Sequence, residues 1–225
     1  MGVPFTADQF FEVFARYNEQ VWPAQILLNL LALAAVLVAW RWRGASRAVA
    51  VMLAALWLWA GVVYHWIFFR QVNPAASVFA VGFVLQALLI LWLGTIRTRL
   101  VFAYPSGMAG AAGWMLVGFA LVIYPVLGYL FGHHYPSAPT FGAPCPLTIF
   151  TFGLLLWAAR PVPWAVLIVP VVWALVGTSA ALTFGVWQDL GLPVAALVTV
   201  GLLLAASRRD RREPAQSGTT FGHGE

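Results

Sequence analysis

Long apolar runs separated by short turns of glycine, proline and arginine set the pattern of this chain. Hydropathy read between those turns predicts membrane-spanning helices near 21–40, 47–69, 76–96, 109–131, 145–159, 162–182 and 190–206. A hydrocarbon core about 30 Å thick takes roughly 20 helical residues. The fifth span falls short of that, because Pro146 leaves only about 14 residues, or about 21 Å, of helix after it. The preceding Ala143-Pro144-Cys145-Pro146 is therefore expected to enter the membrane as irregular backbone, which must line a cavity or be buried in protein. Ahead of the spans, Thr6-Ala7-Asp8-Gln9 reads as a capping box. Phe10, Val13, Phe14, Tyr17 and Val21 recur at helical spacing opposite Asp8, Glu12 and Arg16, which predicts an amphipathic surface helix within residues 1–20.

Composition agrees with that pattern. The 225 residues are 62% hydrophobic, 15% aromatic and only 8% charged, outside the range of soluble globular chains. The spans leave no room for a soluble enzyme domain. All 12 basic residues are arginine, so Schiff-base chemistry of the retinal type, which needs a lysine amine, is excluded. No Asp or Glu lies between Glu19 and Asp189, which argues against pumps that relay protons through buried carboxylates. Walker, His-Glu-x-x-His and Gly-x-Ser-x-Gly motifs are missing, and the single Cys145 cannot form an internal disulfide.

Charge sets the expected orientation. With alternate loops on opposite sides, Arg41, Arg43, Arg47, Arg97, Arg99, Arg160, Arg208, Arg209, Arg211 and Arg212 share one face, and only Arg16 and Arg70 lie on the other. The positive-inside rule then places the N-terminus outside and the C-terminus in the cytoplasm. Trp22, Trp66 and Trp187 on one side and Trp40, Trp42, Trp92, Trp157 and Trp164 on the other read as interfacial belts. The start lacks the basic region and cleavage site of a signal peptide. Met1-Gly2 with Thr6 matches an N-myristoylation pattern, but an outward N-terminus never meets a cytoplasmic acyltransferase, so no lipid is expected there. Residues 207–225 are polar and aperiodic and are expected to form a disordered basic cytoplasmic tail after a seven-helix domain spanning 21–206.

The expected fold is thus an all-α polytopic membrane protein of seven transmembrane helices. A parallel 3+1+3 repeat is suggested by Pro23 with Gln25 against Pro146 with Thr148, by Trp59 against Trp173, and by Pro74 against Pro193. This plan resembles that of the sugar facilitators and Pro-Gln-loop transporters, although Ala24 separates the proline from the glutamine here. Gly107, Gly110, Gly113 and Gly118 smooth the fourth span for close helix packing, within one subunit or in a homo-oligomer.

Candidate chemistry gathers on the outer side. Asn18, Trp22, Gln25 and Asn29 fall on one helical face, and Gln86, Thr148 and Thr151 serve either as interhelical glue or as a polar path. Glu19, Tyr64, His65, Asn73 and Asp189 complete a candidate solute site at that level, with Tyr124 and Tyr129 as further walls. His65, His133, His134 and Cys145 form the alternative, a soft-metal site for zinc or copper, although their spacing matches no recognised motif for a metal or haem.

The runs Arg16-Tyr17-Asn18-Glu19 to Trp22-Pro23-Ala24-Gln25, Tyr64-His65-Trp66 to Asn73-Pro74-Ala75-Ala76, and Pro146 to Thr151-Phe152-Gly153-Leu154 resemble a bacterial multi-pass membrane family of unknown function. The resemblance covers residues 5–205 and implies a bacterial inner membrane, with no activity attached. The first functional expectation is a facilitator or permease for a small solute or metal ion. A membrane-embedded metal-dependent hydrolase, with Glu19 or Asp189 as general base, is the second. An accessory subunit docked to a partner in the bilayer is the third, and no nucleic-acid partner is expected.

Overall fold

The computed structural model describes residues 4–217, and all of its regular elements are helices. Met1 and Gly2, and with them the myristoylation pattern, lie outside the described residues. Helix α1 (Ala7–Val21) starts at the expected capping box, in which the Gln9 N–H donates to Thr6 Oγ1 at 3.2 Å and the Thr6 N–H to Gln9 Oε1 at 2.9 Å. Its apolar face does not meet lipid. Phe10, Val13, Phe14 and Tyr17 are buried against the rest of the protein.

Among the described residues, six helices are long and apolar enough to cross a membrane. Helix α2 (Ala24–Arg41) comes first. Helix α3 (Ser46–Trp59) runs on through wide π turns over Ala60–Phe68, and α4 (Ala76–Leu91) through Trp92–Ile96. Helix α5 (Met108–Gly118) joins α6 (Tyr124–Leu130) through a third π segment, Phe119–Ile123. Helices α8 (Ala165–Phe184) and α9 (Gly191–Ser217) complete the set. Their outward faces carry unbroken apolar surface, with Leu27 66% and Leu197 74% exposed. Only a hydrocarbon environment stabilises such a surface, so the chain is a multi-pass membrane protein.

The expected fifth span, 145–159, is instead the short helix α7 (Pro144–Leu155), whose residues are all buried except the partly buried Cys145. At about 1.5 Å per residue its 12 residues reach about 18 Å. It packs at the centre, against α3, α5, α8 and α9. Buried chain makes up the missing length. Beyond its C-terminus the Ala103 N–H donates to the Trp157 carbonyl and the Ala159 N–H to the Val101 carbonyl, each at 2.7 Å, tying this chain to the segment that leads into α5. The expected repeat would pair the lipid-facing α2 with this enclosed α7, so the two halves do not share a packing environment.

Polar side chains inside the bundle act as glue. The Trp57 indole donates to Thr151 Oγ1 at 2.9 Å, Thr151 Oγ1 donates to the Leu147 carbonyl at 2.8 Å, and the Gln86 amide donates to the Val166 carbonyl at 2.8 Å. Thr151→Val keeps the volume and strands the Trp57 N–H, so it should cost about 1 kcal/mol, the scale of membrane interhelical hydrogen bonds. Equilibrium unfolding in mixed micelles checks this. An unchanged midpoint would mean that the bond contributes nothing to stability.

Two ends of the bundle can now be distinguished. One carries α1, the loop 131–143 and the turn between α8 and α9. The other carries Arg41, Arg97, Arg99 and Arg160, with Arg41 stacked on Trp40 and Arg97 on Trp92 at 5.2 and 5.4 Å. Trp22, Trp66 and Trp187 at the first end, and Trp40, Trp42, Trp92 and Trp164 at the second, are exposed as belts require. Trp157 departs from the expectation and is fully buried. Helix α9 also continues to Ser217, past Ser207 where the disordered tail was expected. Arginine is a good helix former, and extending an existing helix avoids the cost of nucleation. Residues 218–225 of that tail lie outside the described residues.

Candidate functional site

At the α1 end, the helices form a partly open chamber of about 310 Å³. Helix α1 covers it with Phe10 and Phe14, preceded by Phe5. The π turns after α3 bring in Tyr64 and the 3-10 turn that follows brings in Phe69. Phe79 comes from α4, and Trp173 and Phe184 from α8. These walls are ordered by ring packing, with Phe10 stacked on Phe184 at 4.7 Å and Phe14 tilted against Tyr64 at 5.3 Å. A wider hollow of about 830 Å³, lined by Met115, Phe119 and Val194 among others, opens between α5 and α9 toward the lipid side.

The chamber contains one carboxyl group. Helix α8 ends at Gly185, whose left-handed φ of 73° lets its N–H close on the Ala181 carbonyl at 3.0 Å. The 3-10 turn Trp187–Leu190 that follows points Asp189 inward, leaving it 2% exposed. Its Oδ1 accepts from the Tyr124 hydroxyl at 2.5 Å, and the Cys145 thiol from the first turn of α7 lies against the same carboxyl. Among the described residues no arginine acts on it. Arg70 at this end is exposed and spends its guanidinium on the Trp66 ring, 4.0 Å away.

Behind the Trp173 wall sits His65, fully buried, with its ring 4.9 Å from Trp173 and 4.6 Å from Phe83. Neither ring nitrogen has a hydrogen-bond partner. An imidazole always carries at least one N–H, so an unpaired donor is held in an aromatic nest beside the chamber.

Of the sequence-predicted solute residues, Tyr64, Asn73 and Asp189 line this chamber and His65 backs it. The Asn18 face does not contribute. Asn18 Nδ2 donates to the carbonyls of Pro136 and Ala138 at 2.5 and 2.7 Å, and its Oδ1 accepts from Thr140 at 2.7 Å. Gln25 donates to the Asn18 carbonyl and Asn29 to the Gln25 carbonyl, both at 2.8 Å. This stripe ties α1 and α2 to the loop 131–143. Glu19 and Trp22 are exposed.

The candidate metal ligands are not assembled either. His133 stacks on Phe11 at 4.6 Å and His134 on Tyr129 at 4.5 Å, which holds both on the loop surface, apart from His65 and Cys145. Burial and the neighbouring His134 hold the His133 imidazole below the usual histidine range. Among the described residues no three His, Cys, Asp or Glu side chains are grouped to hold a metal ion. Sequence reasoning assigned Phe10 and Phe14 to a membrane surface and Trp173 to a repeat. The signal it passed over was the aromatic bias of the apolar face of α1, which suits ring packing inside protein.

Residues 7–214 match a family of unknown function, DUF6064. The chain belongs to that family. The match covers α1, every long helix but the last residues of α9, and all of the chamber lining except Pro4 and Phe5. No curated protein and no solved structure matches the chain.

Proposed function

We propose that this DUF6064 protein is a facilitator that admits a small amphiphilic solute to the chamber at the α1 end. The observation that carries this reading is the concave volume of about 310 Å³, walled by aromatic rings and supplied with a single buried carboxyl group. Such a pocket, apolar with few polar groups, is the usual form of a small-molecule site. The arginine distribution supports an outward-facing chamber in a bacterial inner membrane, with Arg41, Arg97, Arg99 and Arg160 on the cytoplasmic side. Below the chamber the packed rings of His65, Phe83, Trp57 and Trp173 close the route to the arginine end. In the transport cycle this barrier opens after the solute is seated. A polar solute fits less well, because the Asn18 stripe is already hydrogen-bonded within the protein.

Phenethylamine, 2-phenylethanol and 3-phenylpropionate offer one body shape with cationic, neutral and anionic heads. The purified protein in nanodiscs should bind at least one of them saturably, read by equilibrium dialysis and by quenching of tryptophan fluorescence. Ala180 lines the chamber on α8, and Ala180→Trp fills it. This variant should lose that binding, and saturable uptake into proteoliposomes, with its thermal midpoint retained. No binding by any probe, or binding unaffected in a folded Ala180→Trp variant, overturns the reading.

A further inference from the structure

We infer that the solute is an organic cation, an amine or quaternary ammonium group on a compact apolar body. This rests on the chamber being the solute site, and three observations set the sign of the charge. Asp189 lines the chamber and is 2% exposed, and among the described residues no side-chain cation acts on it. Its protein partners, Tyr124 and Cys145, supply a hydroxyl and a thiol and no counter-charge. The surrounding walls are aromatic, with Phe10, Phe79, Phe184 and Trp173 among them.

Each feature favours a positive head. A carboxylate removed from water is costly until it takes up a proton or a cation, and an ammonium ligand supplies that positive charge. Ring faces carry negative potential and attract alkylammonium groups once water is excluded, as in the aromatic cages that recognise quaternary ammonium. An anion would meet both the carboxyl and the ring faces with the wrong sign. A neutral body of this size dissolves in hydrocarbon and crosses a bilayer unaided, whereas a charged one is strongly opposed. The cation is therefore the member of the series for which a facilitator changes the rate.

The same three probes decide it, again with the protein in nanodiscs. Phenethylamine should bind about tenfold or more tightly than 2-phenylethanol, and 3-phenylpropionate should not bind. Asp189→Asn should bring amine and alcohol to within a factor of about two, while Asp189→Glu, which keeps the charge, should retain the preference. Equal affinity of the wild-type protein for amine and alcohol overturns the assignment of charge while leaving the chamber as the solute site. An amine preference that persists in Asp189→Asn also overturns it. Failure of all three probes removes the site itself. Should Asp189→Asn not fold, the wild-type comparison of amine with alcohol decides alone.

Discussion

Trp157→Ala is expected to cost about 3–5 kcal/mol of bundle stability, the range for truncating a large buried aromatic. The side chain is fully buried just past the end of α7, with its ring 4.8 Å from Trp114 and 5.2 Å from Tyr104. Its indole N–H donates to the Gly110 carbonyl at 3.2 Å. Gly113 is shaped to receive it, since a Cβ at that position would run into the indole. Lipid is as apolar as leucine, so helix association in a bilayer draws on packing and hydrogen bonds rather than on escape from water. A cavity at this contact therefore removes dispersion contacts that nothing replaces. Trp164→Ala, on a residue 46% exposed at the same end, should change stability by less than about 0.5 kcal/mol. Steric-trap or denaturant unfolding in bicelles compares the two. Equal effects would show that Trp157 is an interfacial anchor after all.

The contrast between these tryptophans shows what the sequence could and could not reveal. The limits of the six long helices were legible to within a few residues, because hydropathy over about 20 residues is a strong signal, but the expected count of seven was one more than the helices long enough to cross. Which face of a span meets protein was not. A helix such as α8 is apolar all round, on its lipid side and its protein side alike, so no amphipathic pattern marks the inward face. Trp157 and Trp164 therefore looked equivalent, and the enclosure of α7 was visible only as a shortfall in length. Ionisable groups were better guides. His65 and Asp189 were singled out because such residues are rare at membrane depth, and both belong to the chamber or its wall. His133 and His134 shared their chemistry but lie on a loop, where packing against Phe11 and Tyr129 decides their place. The Asn18 stripe was legible as one helical face, but periodicity cannot tell a hydrogen bond to a loop from one to a solute.

Asn18→Leu separates those two roles. Asn18 is fully buried, and its amide closes the loop 131–143 onto α1 through the carbonyls of Pro136 and Ala138 and the hydroxyl of Thr140. Leucine has similar volume and none of these bonds, so three partly buried polar groups lose their partner. With unsatisfied buried groups at about 1–3 kcal/mol each and some relaxation toward water, a total cost of about 3 kcal/mol is expected. The damage should be local first. Amides such as Ala138 and Ala143, whose N–H groups bond to the carbonyls of His134 and Thr140, should exchange with solvent faster, because the turns that protect them lose their anchor. The same loop leads into Pro144 and Cys145 at the chamber floor, so binding of phenethylamine should weaken along with that protection. Weakened binding with unchanged exchange over 131–143 would instead mean that Asn18 touches the solute directly, and would move the site from the chamber toward the α1–α2 junction.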